Sequence, residues 1–180
     1  MLAFTNIDAS SHTRHINTYP NLPAPIGKER VLITSAGQAM EGTVIFSIAE
    51  SLHLDADYRP RALDTDLYDY QSIIIVLGYS FNGLSYIDRS FQEELRLTEF
   101  LVKEAALNQM PIILVNLASQ TRDDDQTWRL FELIAEDTDY YIGLNDGMNR
   151  YHERMSELGI PATLVNELDD IHTPFNSAFR

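Results

Sequence analysis

From residue 30 onward, the apolar positions of the chain alternate between two rhythms. One is a short unbroken run: RVLIT (30–34), SIIIVLG (72–78), PIILVNLA (111–118), DYYIGLN (139–145) and ATLVNEL (162–168), with a weaker run over Asp57 to Ala62. Such runs, rich in Val, Ile and Leu and bounded by small or polar residues, predict strands buried on both faces. The other rhythm has helical spacing. Val44, Ile45, Ile48, Ala49 and Leu52 form one stripe on a helix over about Gly42 to Leu52, and Phe91, Leu95, Leu101, Val102 and Ala105 form another on a helix from near Asp88 to about Asn108. Asp88 or Ser90 is placed to cap the latter, and Ser90 with Glu93 has capping-box spacing. TWRLFELIAEDT (127–138) and MNRYHERMSEL (148–158) continue the alternation, with Trp128, Phe131, Tyr140 and Tyr141 at core or helix-packing positions.

Strands alternating with helices predict an α/β fold. The expected architecture is a three-layer α/β/α sandwich around a mainly parallel sheet of five or six strands, Rossmann-like or flavodoxin-like. A single domain is expected over residues 29–168, without internal repeats. Residues 1–28, with Pro20, Pro23, Pro25 and Gly27, read as an extended N-terminal arm lying on the domain or on a partner, and as a route to a homo-oligomer. Residues 169–180 read as a C-terminal tail.

Charge and composition narrow the chemistry. The 180 residues hold 27 acidic and 13 basic side chains, a formal net charge of -14. That field repels phosphate backbones and anionic lipid, so neither nucleic acid nor membrane is expected as a partner. Cysteine is absent, which removes disulfides, thiolate metal sites and a thiol nucleophile. The first twenty residues lack the basic start and apolar stretch of a signal peptide, and a cytoplasmic location is the expectation.

In an open parallel sheet, ligands bind beyond the carboxyl ends of the strands, where the strand order reverses. The loops concerned are SAGQAMEG (35–42), GYSFNGLSYI (78–87), NLASQTRDDD (116–125) and NDGMNR (145–150), all rich in short polar residues. The candidate ligand-binding residues are therefore Ser35, Gly37, Gln38, Ser80, Asn82, Asn116, Arg122, Asn145 and Asp146. Gly37 either exposes backbone amides to a neutral or anionic small molecule or only permits a tight turn. No cofactor and no metal is expected: TSAGQA is neither GxGxxG nor GxxxxGK[ST], and three consecutive acids, Asp123 to Asp125, cannot all face one ion. His12, His15, His53, His152 and His172 fall outside these loops, and no G-x-S-x-G turn surrounds Ser35, so no catalytic residue is assigned.

In order along the chain, TSAGQ, GYSFNGL, EELRLTEFLVKEA, DYYIGLNDG and ELGIPATLV resemble DUF6305, a small bacterial family of unknown function, over about residues 30 to 166. The resemblance implies a G-x-S-x-K-G-L stretch where this chain has GYSFNGL, so Ser80 is kept and Asn82 stands at the lysine position. It also implies a glycine pair and an arginine pair in the third loop. Here Ala118 and Ser119 replace the glycines and Asp123 the second arginine, leaving Arg122. A lysine and two arginines beside backbone amides would cradle an anion; this chain keeps one of the three charges. The family also implies export, which the N-terminus here does not match.

Polar loops without an acid–base pair or nucleophile favour a non-catalytic binding domain for a small polar ligand or a protein partner. One alternative is a hydrolase or transferase acting on a nucleoside-like or glycosidic substrate, with Glu41, Asp88 or Asp146 as the acid–base group. Another is a structural subunit of a larger assembly.

Overall fold

The computed structural model describes residues 20–117, 124–145 and 150–180, and each of the six apolar runs in them contains a strand, the weak run over Asp57 to Ala62 only at its start: β1 (Val31–Ala36), β2 (Ala56–Tyr58), β3 (Ser72–Leu77), β4 (Ile112–Asn116), β5 (Tyr140–Leu144) and β6 (Ala162–Val165). They form one sheet in the order β2-β1-β3-β4-β5-β6, with every neighbouring pair parallel. The burial of each strand follows its place. β1, β3 and β4 lie inside the sheet and are buried at every position, which explains their unbroken apolar runs. The edge strand β6 alternates between half-buried and buried, and β2, on the other edge, is three half-buried residues long, which is why its signal is weak.

The helices are α1 (Gly42–Ser51), α2 (Phe81–Tyr86), α3 (Phe91–Leu107), α4 (Asp125–Ala135), α5 (Arg150–Leu158) and α6 (His172–Phe179). The chain steps from β1 outward to β2, then back past β1 to β3 and onward to β6. Crossovers of one hand that travel in opposite directions must lie on opposite faces of a sheet. Accordingly, Ile45, Ile48 and Ala49 of α1 pack on Val31, Ile33, Ile74 and Val76, whereas α3, α4 and α5 cluster with Leu32, Ile73, Ile75, Ile112, Leu114 and Tyr141. Among the described residues, this doubly wound layout leaves α1 as the one crossover helix on its face. The rest of that face is covered by residues expected to be a tail: Phe175 and Ala178 of α6, preceded by a 3₁₀ turn at Leu168–Ile171, join Ile113, Val115, Tyr140, Ile142 and Val165 in one core. Pro174 does not break α6, because it lies in the first turn, where its missing N–H has no helical partner to lose.

Other departures from the expectation are local. The link DTDLYDYQ contains a 3₁₀ helix, Asp64–Asp69, that buries Leu67. The loop GYSFNGLSYI contains α2, whose start is capped by Ser80 Oγ accepting from the Gly83 amide. Helix α3 begins with Ser90 as its cap in a complete capping box with Glu93, while Asp88 occupies the preceding turn at φ 53°. No described helix is long and apolar enough to cross a membrane.

The described part of the N-terminal arm lies on its own domain. Ile26 and Gly27 donate their amides to Ala178 O at 3.0 and 2.7 Å, and Lys28 exchanges hydrogen bonds with the Ser72 hydroxyl. Thr163 Oγ1 donates to Pro20 O at 2.8 Å. At the same end of the sheet, Asp57 pairs with Arg30 and accepts from the Tyr70 hydroxyl at 2.8 Å, tying β2, β1 and β3 together ahead of the ladder. Arg30 and Arg59 both stack on the Tyr70 ring. Burial first, and then the hydrogen bond to Asp57, push the Tyr70 phenol up to about 12.

Two outcomes follow from this layout. Phe175→Ala removes a fully buried ring from the helix that covers half of one face, and the expected loss is about 3–5 kcal/mol in urea unfolding; a loss below about 1 kcal/mol would place α6 outside the core. Because the folded pKa of Tyr70 lies above the ordinary value of 10.0, its contribution is complete below pH 10 and is lost as pH rises toward about 12. Tyrosinate absorbance should therefore show a late-titrating group that Tyr70→Phe removes, alongside Tyr58 and Tyr140, which burial also raises.

Candidate functional site

The strand order reverses between β1 and β3, so the chain leaves their carboxyl ends in opposite directions, and a crevice is expected between the two loops. Here the loops close on each other. Gly78 donates its amide to Ala36 O at 2.9 Å, Ser80 donates to Gly37 O at 2.8 Å, and Gln38 forms an antiparallel bridge with Tyr79. Such contact needs residues without side chains. Gly37 has φ 96°, and a Cβ there would lie 2.4 Å from Gly78 O; a Cβ on Gly83 would lie 2.6 Å from Gln38 O. The start of α4 is drawn into the same junction, since Tyr79 donates its amide to Thr127 Oγ1 at 3.0 Å while Asp124 caps that helix through the Thr127 amide.

Beneath this closure sits Glu94, a carboxylate with 1% exposure on the inner face of α3. Its Oε1 accepts from the Gly37 amide at 2.8 Å and from Gln38 Nε2 at 3.3 Å, and its Oε2 accepts from Arg89 Nη1 at 2.7 Å. The Arg89 side chain is 18% exposed. Gln38 also donates to Pro60 O at 2.8 Å, just past β2. These bonds account for Gln38 holding φ 63°, a left-handed conformation that costs a side-chain-bearing residue about 1–2 kcal/mol. The amide of the TSAGQ turn thus faces an anion, and that anion belongs to the protein.

The expected site residues separate into groups. Ser35, Gly37, Gln38 and Ser80 meet at the β1–β3 junction. There the Ser35 hydroxyl donates to Ala39 O at 3.2 Å and Ser80 caps α2. Asn82 is exposed on α2. Asn116 is buried at the end of β4, in register with Gly143 of β5. Asn145 lies across the sheet, donating to the Asn166 side chain at 3.0 Å beyond β5 and β6. Arg122 and Asp146 fall outside the described residues. Of the acid–base candidates, Glu41 precedes α1 with one carboxylate oxygen buried, and after burial itself it helps raise the Tyr58 phenol; Asp88 is exposed between α2 and α3. Among the described residues, no three His, Asp or Glu side chains converge to hold a metal ion.

Glu94 and Arg89 do not figure among the expected site residues. The signal was present: Glu94 follows Phe91 by three positions and precedes Thr98 and Leu101 by four and seven, which puts a carboxylate on the buried stripe of an amphipathic helix.

The surface above the junction has a different character. Met40 is 77% exposed, Phe81 69% and Tyr86 88%, on the two loops that are hydrogen-bonded to each other.

The fold and the junction define a doubly wound α/β domain whose switch point is closed over its own buried acid. Residues 28–179 match the family described as a domain of unknown function, DUF6305, and the chain belongs to that family. The match includes α6, which lies beyond the span of the motifs read from the sequence. No curated protein and no solved structure matches the chain.

Gly37→Ala combines a left-handed backbone with a collision against Gly78 O, and the expected loss is about 2–4 kcal/mol. Gly159→Ala, at φ 72° with nothing within 4 Å, carries the backbone strain alone and should lose about 1–2 kcal/mol. Urea unfolding of both variants separates the terms, and equal losses would mean that the loops part to admit the methyl group.

Proposed function

We propose that the chain is a non-catalytic binding domain that docks a protein partner on the loop end of its sheet, over Met40, Phe81 and Tyr86. The observation that carries this reading is the contrast between the two levels of the junction. Below, polar groups that would hold a small ligand are matched from within: the Gly37 amide and Gln38 Nε2 donate to Glu94, and the Ser80 hydroxyl oxygen accepts from the Gly83 amide at the start of α2. Above, three large apolar side chains are exposed on two loops that are hydrogen-bonded to each other, and exposed apolar surface is a feature of interaction sites. Glu41 and Asp88 lie on the same loops, and the chain as a whole carries a charge of -14. The complementary partner surface has an apolar centre and a basic rim, which steers encounter more than it adds affinity.

Site-directed photo-cross-linking in cells that express the chain tests this. A photoreactive residue in place of Phe81 or Tyr86 should yield one common adduct. The same residue in place of Leu107, exposed at the far end of α3, should not, and Met40→Asp should abolish the adduct without moving Tm. Identical adducts from all three positions would overturn the reading. So would a small molecule retained in native mass spectrometry and lost on Gln38→Ala.

A further inference from the structure

We propose that the β1–β3 junction is an anion-binding site whose resident ligand is the carboxylate of Glu94, and that a free small monocarboxylate takes the same place when that side chain is removed. The inference concerns the buried level of the junction and is independent of any partner on its surface. The donor set has the features of a ligand site. A backbone amide at a glycine turn, a side-chain amide and a guanidinium converge on the two oxygens of one carboxylate at 2.7–3.3 Å, at the switch point of a parallel sheet. Two of these donors come from the turn after β1, and the third from the link into α3. The site is assembled by the fold, with Glu94 inserted into it from the first turns of α3.

The chemical class of the occupant follows from atom counting. Glu94→Ala deletes Cγ, Cδ and both carboxylate oxygens, which together are the heavy atoms of acetate. Acetate therefore fits the vacated space. Formate fills it incompletely, butyrate is too long, and chloride offers one centre where the donors address two. Of the three donors, the Arg89 side chain is partly exposed, so one wall of the site reaches the surface. In the native protein the same geometry means that an external anion reaches these donors only by expelling Glu94, so the intact site is closed to small anions.

The test is the thermal stability of Glu94→Ala in acetate, formate, butyrate and chloride at equal ionic strength, with Leu101→Ala as a variant destabilised elsewhere in the core. Anything that binds only the folded state raises Tm by mass action. Acetate is expected to raise the Tm of Glu94→Ala by roughly 3 °C or more over chloride, with formate intermediate and butyrate without effect, and to leave the wild type and Leu101→Ala unchanged. Should Glu94→Ala be unfolded in chloride, the readout becomes recovery of helical circular dichroism in acetate against butyrate. Glu94→Gln keeps the space filled and should gain nothing from acetate. An equal response of Glu94→Ala and Leu101→Ala to the salts, or a rescue without the acetate-over-butyrate preference, would overturn the proposal.

Discussion

A carboxylate taken out of water has to be met by donors, and at the β1–β3 junction that requirement sets the conformation of both loops. An unmatched buried charge costs several kcal/mol, while each hydrogen bond to a charged acceptor is worth roughly 1.5–3 kcal/mol. The left-handed strain at Gln38, about 1–2 kcal/mol, is below the cost of an unmatched charge and is offset by the two bonds together, so the turn adopts it to bring the Gly37 amide and the Gln38 side chain onto Glu94. Once the turn is so placed, Gly37 and Gly83 have to be glycine, because the second loop lies against it backbone to backbone. The glycine after β1, which in many parallel sheets faces a bound phosphate, here faces the chain's own acid.

The same junction separates a buried polar level from an exposed apolar one, and the arrangement of the sheet is what places them together. Along the order of the described strands the direction reverses once, between β1 and β3, and the junction lies there. At the opposite end of the strands, Arg30, Asp57 and Tyr70 perform a comparable service for the edge, locking β2 onto the interior strands with a charged pair and two stacked guanidiniums. Both ends of β1 are thus fastened by polar clusters, and its middle by apolar packing on two faces.

Much of the fold was legible in the sequence because burial on both faces writes itself as continuous apolar runs, and β1, β3 and β4 lie where those runs say. What was not legible followed from features that periodicity weighs lightly. HTPFNSAF carries few apolar residues and a proline, so nothing local marks α6 as core; its burial arises from the bare half-face that the single strand-order reversal leaves over β4 and β5. The six residues of α2 are too few to show a helical rhythm and depend on the Ser80 cap. At the site, the strand-end rule gathered Ser35, Gly37, Gln38 and Ser80 into one list with residues of the other loops; that these four adjoin follows from the strand order, which the apolar runs do not encode. Glu94 was passed over although its spacing puts it on the buried stripe, because a stripe traced through Phe91, Leu95 and Leu101 counts only apolar positions. The residue that organises the junction was hidden by the assumption that an inner face is apolar.

Helix α6 follows every strand in chain order, yet it covers strands in the interior of the sheet. A nascent chain leaving the ribosome therefore completes the six described strands, α1 and the three helices of the opposite face before the half of the second face over β4 and β5 receives its helix. Until then Ile113, Val115, Tyr140 and Ile142 form an apolar surface with no helix over it, the kind of transient exposure that chaperones recognise and that drives aggregation. Folding of this domain can begin during synthesis, but its last step waits for the segment that contains Phe175.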